Sequence, residues 1–286
     1  MAQHLPEATL LRIRRLGRML NRLSAVSPLI AGRIAFRIFC TPRRLPVREE
    51  DRAFLATAQS FDFTVEGLRI RGYTWPSEDP QAREVLCLHG WESNSARWKK
   101  YIRGLQEAGF CVHAFDAPAS GQSDGRMLNL LLYSRVVKQF LAGRRTPYAV
   151  IGHSLGGAAA VMSCALHNAP RPDRIVLLGV FAESARVVRD FAAILGVNET
   201  VVQTIYREIE RRSGMPIGEY SVVQKAALLS EVRGFVLHDL NDEVAPVEEG
   251  RRVAGAWNAL YHETRGLGHR MQDKKVVDAV VQFILG

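Results

Sequence analysis

The sequence predicts an α/β protein whose mostly parallel sheet is covered by helices on both faces. The first observation is that short apolar or β-branched runs alternate with helical stretches from residue 61 onward. The second is that these runs are apolar at almost every position, as in strands that helices cover on both sides. The third is the composition: 47% of the residues are hydrophobic and 23% are charged, as in ordinary globular proteins.

Length and composition exclude several classes of protein. A chain of 286 residues with this composition is not disordered, collagen-like or of low complexity. No apolar run reaches the roughly 18 residues that a membrane-spanning helix needs. Four cysteines are too few for a disulfide framework, and Cys87 and Cys111 lie in apolar strand-like runs, where we expect buried and reduced thiols. We therefore expect a cytoplasmic protein.

The positive charge is confined to the amino-terminal part of the chain. The formal net charge is +9, and residues 1–48 contain ten arginines but a single acidic residue, Glu7. The other 238 residues carry 28 basic and 28 acidic side chains. Because the main domain is neutral overall, we expect no nucleic-acid partner for it.

Residues 1–60 are predicted to form a basic helical extension. Residues 8–24 have the period of an amphipathic helix, and Pro28 and Gly32 separate them from a second apolar stretch, 34–40. Three interpretations stay open: a helix docked on the main domain with its arginines in solvent, an anchor on an anionic membrane surface, or a targeting segment. A location peripheral to the membrane is therefore an alternative. The predicted apolar face contains Ile13, Leu16, Met19, Leu20 and Leu23, and the opposite face contains Arg14, Arg15, Arg18 and Arg22.

Residues 61–286 are predicted to form one α/β domain. Alternating residues over 61–75 predict an antiparallel hairpin with Gly67 and Gly72 as turn residues. Residues at about 182–229 are mostly helical and form an insertion. The other predicted strands are 85–88, 111–115, 149–151, 174–178, 234–238 and 259–263, and the other predicted helices lie near 96–108, 129–142, 155 onward, 247–257 and 274–285.

The most specific local pattern is Gly-His-Ser-Leu-Gly-Gly at 152–157, between an apolar run and an alanine-rich helix. A tight turn from strand to helix strains the backbone at the serine and leaves no room for side chains two positions away. The hydroxyl is then exposed at the sheet edge, near the amides that begin the helix. We therefore predict that Ser154 is a nucleophile; the alternative is a structural glycine-rich turn.

A nucleophilic serine needs a base, and the base needs an acid to orient it. His269, in a glycine-flanked loop after a predicted strand, is the candidate base. Asp242, in the loop after the strand 234–238, is the candidate acid, with Asp239 and Glu243 as alternatives. Catalytic groups of open α/β sheets collect at such carboxyl ends of strands.

The segment 85–91 is a second motif of the predicted site, in which a strand leads into a His-Gly turn. The backbone N–H groups of Trp91 and Leu155 are predicted to donate to one oxyanion. We expect His89 to hold the turn through local hydrogen bonds. The sequence lacks HExxH, paired CxxC and P-loop patterns, so we expect no metal and no cofactor.

These motifs resemble those of the α/β-hydrolase fold superfamily, and the resemblance runs from about residue 60 to the carboxyl terminus. It implies an eight-stranded, mostly parallel sheet, with the insertion at 182–229 in the position of the superfamily's cap. It also implies that Ser154 is the nucleophile, Asp242 the acid and His269 the base, with the oxyanion hole formed by the amides of Trp91 and Leu155. The resemblance rests on Leu-His-Gly-Trp at 88–91, Phe-Asp-Ala-Pro-Ala-Ser-Gly-Gln-Ser at 115–123, Gly-His-Ser-Leu-Gly-Gly at 152–157, Asp-x-x-Asp-x-Val-x-Pro at 239–246 and Gly-Leu-Gly-His at 266–269.

One position departs from the superfamily's pattern. Relatives commonly have histidine before the glycine where this chain has Ser120-Gly121. Because that position supports the loop, we expect a changed local hydrogen bond and intact chemistry. Epoxide hydrolases and dehalogenases of the superfamily use an aspartate nucleophile, and Ser154 argues against both.

We therefore expect a serine hydrolase that cleaves a small-molecule carboxylic ester, or a thioester, through an acyl-enzyme. An acyltransferase that uses the same three residues is the first alternative. A non-catalytic binding module is the second, because a fold does not determine a function. The natural substrate and the oligomeric state stay open at this stage.

Overall fold

A computed structural model describes residues 7–143 and 145–286 of the chain. Short 3₁₀ helices cover Ser95–Trp98, Ile217–Tyr220 and Gly268–Arg270. The other elements, in chain order, are α1 (Glu7–Val26), α2 (Pro28–Phe39), α3 (Glu49–Leu55), β1 (Gln59–Val65), β2 (Leu68–Trp75), β3 (Glu84–Leu88), α4 (Lys99–Glu107), β4 (Cys111–Phe115), α5 (Leu130–Ala142), β5 (Ala149–His153), α6 (Leu155–Ala165), β6 (Arg174–Leu178), α7 (Ser184–Leu195), α8 (Glu199–Ser213), α9 (Val222–Ala226), β7 (Arg233–Asp239), α10 (Val247–Trp257), β8 (Leu260–Thr264) and α11 (Lys274–Leu285).

The chain divides into two compact units, and their boundaries differ from the predicted ones. Of the described residues, the helical unit contains 7–41 together with Glu183–Ser221, and the sheet unit contains those within Pro42–Ala182 and Val222–Gly286. Helix α3, which lies inside the predicted extension, belongs to the sheet unit because Phe54 is buried there and its ring stacks on Trp75 with centroids 5.1 Å apart. Helix α9, inside the predicted insertion, also belongs to the sheet unit and contacts α6 and α10.

The sheet unit contains one eight-stranded sheet in the order β1-β2-β4-β3-β5-β6-β7-β8. Strand β2 is antiparallel to both β1 and β4, whereas every other neighbouring pair is parallel. The fold class predicted from the sequence is therefore confirmed. The parallel arrangement brings the carboxyl ends of β3, β5, β6 and β7 to the same edge of the sheet.

Both faces of the sheet are covered, which explains why its strands are apolar throughout. On one face, Val85 and Cys87 are fully buried in a core that includes Leu105 of α4. On the other face, the ring of Phe115 packs on Phe140 of α5 with centroids 5.5 Å apart. Each fully buried aliphatic or aromatic side chain of this kind contributes about 1.5–3 kcal/mol to folding.

The hairpin β1–β2 confirms one predicted turn and corrects another. Glu66 and Gly67 have φ values of 50° and 77°, as a two-residue turn of the hairpin type requires. Gly72 is not a turn residue, so that prediction is wrong. It lies within β2 opposite Phe61, and a Cβ atom there would lie 2.2 Å from the Phe61 ring. The glycine leaves space for that ring across the strand pair.

In the helical unit, helices from two distant segments of the chain pack closely together. Helix α1 contacts α2, α7 and α8, and α2 contacts α8. Two glycines permit this approach: a Cβ at Gly32 would lie 2.2 Å from Cγ2 of Thr204, and one at Gly17 would overlap the backbone of Leu195. The basic amino-terminal helices are therefore packed on the helices of the predicted insertion.

Two predicted burial assignments are wrong. Met19 was expected on the apolar face of α1 but is 65% exposed, because the buried face of that helix is centred on Gly17, Leu20 and Ser24. Cys111, at the start of β4, is only half-buried, whereas Cys87 is fully buried, which raises the pKa of its thiol. Within the described residues, no helix is both long and apolar enough to cross a membrane.

Candidate active site

Ser154 lies at the sharp turn between β5 and α6. Its φ of 51° and ψ of −119° are strained for a residue with a side chain. A Cβ at Gly152 would lie 2.4 Å from Cα of Gly157, and one at Gly156 would lie 2.3 Å from the carbonyl oxygen of Leu88. The expected reason for glycine on both sides of Ser154 is confirmed: backbone packs against both positions.

His269 and Asp242 form a hydrogen-bonded pair at the same edge of the sheet. His269 Nδ1 lies 2.8 Å from Asp242 Oδ2, and Oδ1 of Asp242 accepts the backbone N–H groups of Val244 and Ala245. The Asp242 side chain is fully buried, whereas 20% of the His269 side chain is exposed. The carboxylate is therefore held rigidly, and the imidazole faces solvent on one side.

A second histidine, His238 at the end of β7, lies against the same carboxylate. Its Nε2 is 2.6 Å from the carbonyl oxygen of Ala245 and 3.3 Å from Asp242 Oδ2. Burial would raise the pKa of Asp242, but the hydrogen bonds from His238 and His269 outweigh burial and hold this pKa well below its usual range. Asp242 is therefore an anion at any pH near neutrality.

The two alternative acids occupy different places. Asp239 is buried and accepts hydrogen bonds from the Thr264 hydroxyl at 2.7 Å and the Leu267 backbone N–H at 3.0 Å. It thereby ties the end of β7 to the loop that carries His269. Glu243 is exposed. Of the three candidate acids, Asp242 is the one that the structure places against His269.

His153 connects the turn at Ser154 to the His269 loop. Its Nε2 donates to the backbone carbonyl of His269 at 2.7 Å, and the two imidazole rings lie 4.7 Å apart. Burial lowers the pKa of His153 far below its usual range, so the ring is neutral. A Cβ at the neighbouring Gly179, which follows β6, would lie 3.2 Å from His269 Nδ1. The predicted nucleophile, acid and base thus come from the carboxyl ends of β5, β7 and β8, at the same edge of the sheet.

Sequence reasoning assigned no site role to His153 or His238. His153 stands inside the Gly-His-Ser motif and His238 ends an apolar strand that leads to the acid loop. A histidine at the carboxyl end of a buried strand is a polar group that needs a partner. That signal was present in the sequence, but the partners lie in distant segments.

The segment that carries Trp91 packs directly against the serine turn. A Cβ at Gly90 would lie 3.2 Å from Ser154 Cβ, which explains the glycine before Trp91. His89 behaves as predicted, because its Nδ1 pairs with the Gly90 carbonyl at 2.8 Å and its Nε2 accepts the Ala117 N–H at 2.9 Å. Leu155 begins α6, so its N–H belongs to the unpaired amides at the helix start.

The loop with the unusual Ser120-Gly121 is organised by Asp116 rather than by residue 120. Asp116 Oδ1 accepts both the N–H and the hydroxyl of Ser95, at 2.8 and 2.7 Å. Gly121 has φ of 46°, and a Cβ there would lie 2.1 Å from Asp116 Oδ2. The buried Ser120 hydroxyl makes one long contact of 3.5 Å to the Pro118 carbonyl. A glycine at 121 lets the loop close around the carboxylate.

Among residues 7–143 and 145–286, no group of three or more histidine, cysteine, aspartate or glutamate side chains has an arrangement that could hold a metal ion. Two buried imidazole nitrogens at this edge, Nδ1 of His153 and Nδ1 of His238, have no hydrogen-bond partner among the described residues.

Comparisons with known proteins identify curated relatives of this chain. The chain is 30% identical over 152 residues to a serine hydrolase-like protein of Danio rerio, an alignment that covers 50% of this chain and 45% of that protein. It is 31% identical over 109 residues to a pimeloyl-[acyl-carrier protein] methyl ester esterase of Vibrio vulnificus strain YJ016, which covers 37% of this chain and 41% of that protein. The matched regions thus span less than half the length of these curated relatives.

Solved structures share the fold at low sequence identity. An esterase from Rhodococcus sp. ECU1013 superposes with a TM-score of 0.60 at 18% identity, covering 80% of this chain and 99% of that chain. A Pyrococcus furiosus esterase gives the same TM-score and identity, covering 86% and 97%. A family model described as the alpha/beta hydrolase family matches residues 85–281, which include all three predicted site residues. The resemblance is confirmed, and the chain belongs to the alpha/beta hydrolase family.

Proposed function

We propose that the protein is a serine hydrolase that cleaves a small carboxylic ester, or a thioester, through an acyl-enzyme. Ser154 is the nucleophile, His269 the general base and Asp242 the acid that orients it. The backbone N–H groups of Trp91 and Leu155 form the oxyanion hole. The observation that carries the proposal is the strained, glycine-flanked Ser154 at the same sheet edge as a His269–Asp242 pair with a 2.8 Å hydrogen bond.

Acylation begins when Ser154 Oγ attacks the substrate's carbonyl carbon. His269 donates its Nδ1–H to the ionised Asp242, which leaves Nε2 free to take the serine proton. The new Oγ–C bond pushes the carbonyl electrons onto oxygen, and the two backbone amides stabilise that oxyanion; each such donor is typically worth about 10²–10³ in rate. Collapse of the intermediate breaks the bond to the leaving group, which takes the proton from His269.

Deacylation repeats these steps with water. His269 removes a proton from water, and the oxygen attacks the acyl carbon. When the Oγ–C bond breaks, the proton returns to Ser154 and the carboxylic acid leaves. The low pKa of Asp242 supports this role, because a carboxylate that stays ionised stabilises the imidazolium formed in both half-reactions.

The name of one relative supports an ester as the substrate class, and the name of a second supports a serine hydrolase. One is named a serine hydrolase-like protein and another a methyl ester esterase, and both matches lie at about 30% identity. An ester is also the simplest bond for this site, because an alcohol leaves more easily than an amine. Carboxylesterase-type activity on a small molecule is therefore our expectation.

Hydrolysis of p-nitrophenyl esters, with acyl chains from acetyl to dodecanoyl, tests the proposal. Wild-type turnover should fall by at least about 10⁴-fold in Ser154→Ala. Ser163→Ala is the matched control. The buried hydroxyl of Ser163 bonds to Ala160 and Cys164 within α6, so this variant should keep the activity of the wild type. A fluorophosphonate should label the wild type and not Ser154→Ala.

The outcomes separate the competing functions. Folded wild-type protein that neither turns over any ester nor reacts with the fluorophosphonate would overturn the proposal and favour a binding module. Labelling of Ser154 together with acyl transfer to an added alcohol, but no release of the free acid, would favour an acyltransferase.

A further inference from the structure

Exposed apolar side chains are concentrated on the two amino-terminal helices. In the described part of the chain, ten large hydrophobic side chains are exposed, and six of them lie within residues 11–34. The other four are scattered leucines. These six are Leu11, Met19, Val26, Leu29, Ile30 and Ile34.

On α1 the exposed apolar side chains share a face with arginines. Gly17, Leu20 and Ser24 form the buried side. At 100° per residue, the opposite side carries Leu11, Met19 and Val26 interleaved with Arg15, Arg18 and Arg22, and all six are exposed. This face is neither a purely solvated polar surface nor a packed core face.

Helix α2 has the same mixed character. Its buried side contains Ala31, Gly32, Ala35 and Phe36. Its exposed side combines three apolar residues, Leu29, Ile30 and Ile34, with Arg33 and Arg37.

The turn between the two helices is uncharged and exposed. The segment 23–32 contains no charged residue, and arginines stand just outside it at 22 and 33. Val26 is 86% exposed, and Leu29 and Ile30 are about half exposed, at 51% and 50%. An apolar tip is thus bordered by cationic side chains.

In the part of the chain that the structure describes, three arginines on α1 are not neutralised by carboxylates. In this unit, Glu208 pairs with Arg33, Arg211 and Arg212. Within the described residues, Arg15, Arg18 and Arg22 are in no ion pair, and all three are exposed. Their charge is available to an external anionic surface.

We propose that the outward face of α1 and α2, with the tip at Val26–Ile30, docks this protein on the surface of an anionic phospholipid bilayer. The apolar tip enters the boundary between headgroups and acyl chains, and the flanking arginines bind lipid phosphates. Charge complementarity selects a negative surface, and the exposed tip selects one with an apolar interior. A soluble polyanion satisfies the arginines but leaves the tip in water.

Flotation with lipid vesicles tests this proposal on the full-length protein. Vesicles of phosphatidylcholine with about one third phosphatidylglycerol should bind the wild type, and pure phosphatidylcholine vesicles should bind far less. Replacing Arg15, Arg18 and Arg22 by glutamine should weaken partitioning about a hundredfold. Replacing Val26, Leu29 and Ile30 by serine should weaken it at least about tenfold, because less apolar surface leaves water.

Two control variants replace the same number of exposed arginines and of exposed apolar residues in other parts of the chain. Arg103→Gln, Arg126→Gln and Arg207→Gln change three exposed arginines, and Leu228→Ser, Leu260→Ser and Leu285→Ser change three exposed leucines. Both control variants should bind vesicles as the wild type does. All variants should keep the ester hydrolysis of the wild type in the absence of vesicles, which shows that they are folded.

Three results would overturn the docking proposal. The first is a folded, active wild type that does not float with anionic vesicles. The second is a control variant that loses as much binding as its matched test variant. The third is binding that depends on the arginines but not on the tip, which would identify a polyanion site instead.

Discussion

Asp242 illustrates how much one side chain depends on its backbone surroundings. Two backbone N–H groups hold one carboxylate oxygen, and two histidines share the other. The residue therefore needs its negative charge, not merely its shape. An asparagine amide in its place would be uncharged. It would offer one carbonyl oxygen and one NH₂ group to the two backbone N–H groups and the two histidines that now surround an anion.

The variant Asp242→Asn should keep the fold and lose most of its activity. We expect kcat for p-nitrophenyl acetate to fall by about 10⁴-fold, because the base loses the partner that sets its tautomer and stabilises its charge. Glu243→Gln, in the same loop but exposed, should leave kcat unchanged. Equal losses in the two variants, measured beside circular dichroism spectra, would contradict the assignment of Asp242.

Helix packing in the helical unit depends on glycines at the contact points. A Cβ at Gly32 of α2 would lie 2.2 Å from the Thr204 side chain and 3.1 Å from the Thr204 backbone on α8. The helices can approach this closely because position 32 has no side chain. The same logic holds at Gly17, where α1 meets the end of α7.

We expect Gly32→Ala to lower the free energy of unfolding by about 1–3 kcal/mol, because the added methyl group forces α2 away from α8. Gly255→Ala is the matched control. It lies within α10, and outside the backbone of that helix no atom lies within 4 Å of an added Cβ, so the substitution should raise stability by about 0.5–1 kcal/mol. Urea unfolding of both variants measures the two effects, and a Gly32→Ala variant as stable as Gly255→Ala would contradict the packing argument.

Positive charge is distributed unevenly over the whole molecule, and three arginines surround one buried acid, Glu208. Glu208 is 2% exposed and is bonded by Arg211 at 2.8 Å and Arg212 at 2.7 Å. The hydrogen bond from Arg211, together with that from Arg212, lowers the pKa of Glu208 from 4.5 to about 2. When the pKa of a carboxylate is lower in the folded state than in the unfolded state, the carboxylate stabilises the fold. This stabilisation is complete at pH values above the pKa of the unfolded state and is lost as the pH falls through the pKa of the folded state.

The stability that Glu208 provides should therefore depend on pH. Glu208→Gln should unfold more easily than the wild type at neutral pH, and the difference should shrink as the pH falls from about 4.5 towards about 2. Glu210→Gln, exposed on the same helix, should show a small difference at every pH. Chemical unfolding across this pH range is the measurement. A Glu208→Gln difference that does not change with pH would contradict the assignment.

Features with a local cause were predictable from the sequence. Hydrophobic periodicity predicted the helices 247–257 and 274–285 with the bounds that the structure shows, and the apolar runs predicted the parallel strands. The turn at Ser154 was also predictable, because its glycines and its strained backbone belong to one short segment. In these cases, residues near each other in the chain impose the geometry.

Features with a distant cause were decided by the tertiary structure. Gly72 faces a ring on the neighbouring strand, and Met19 is exposed because the packed side of α1 runs through Gly17, Leu20 and Ser24. The pairing of Asp242 with His269, and the presence of His238 beside them, became definite only when the loops after β7 and β8 met. Such contacts depend on which segments fold together, and the pattern of a single segment does not contain that information.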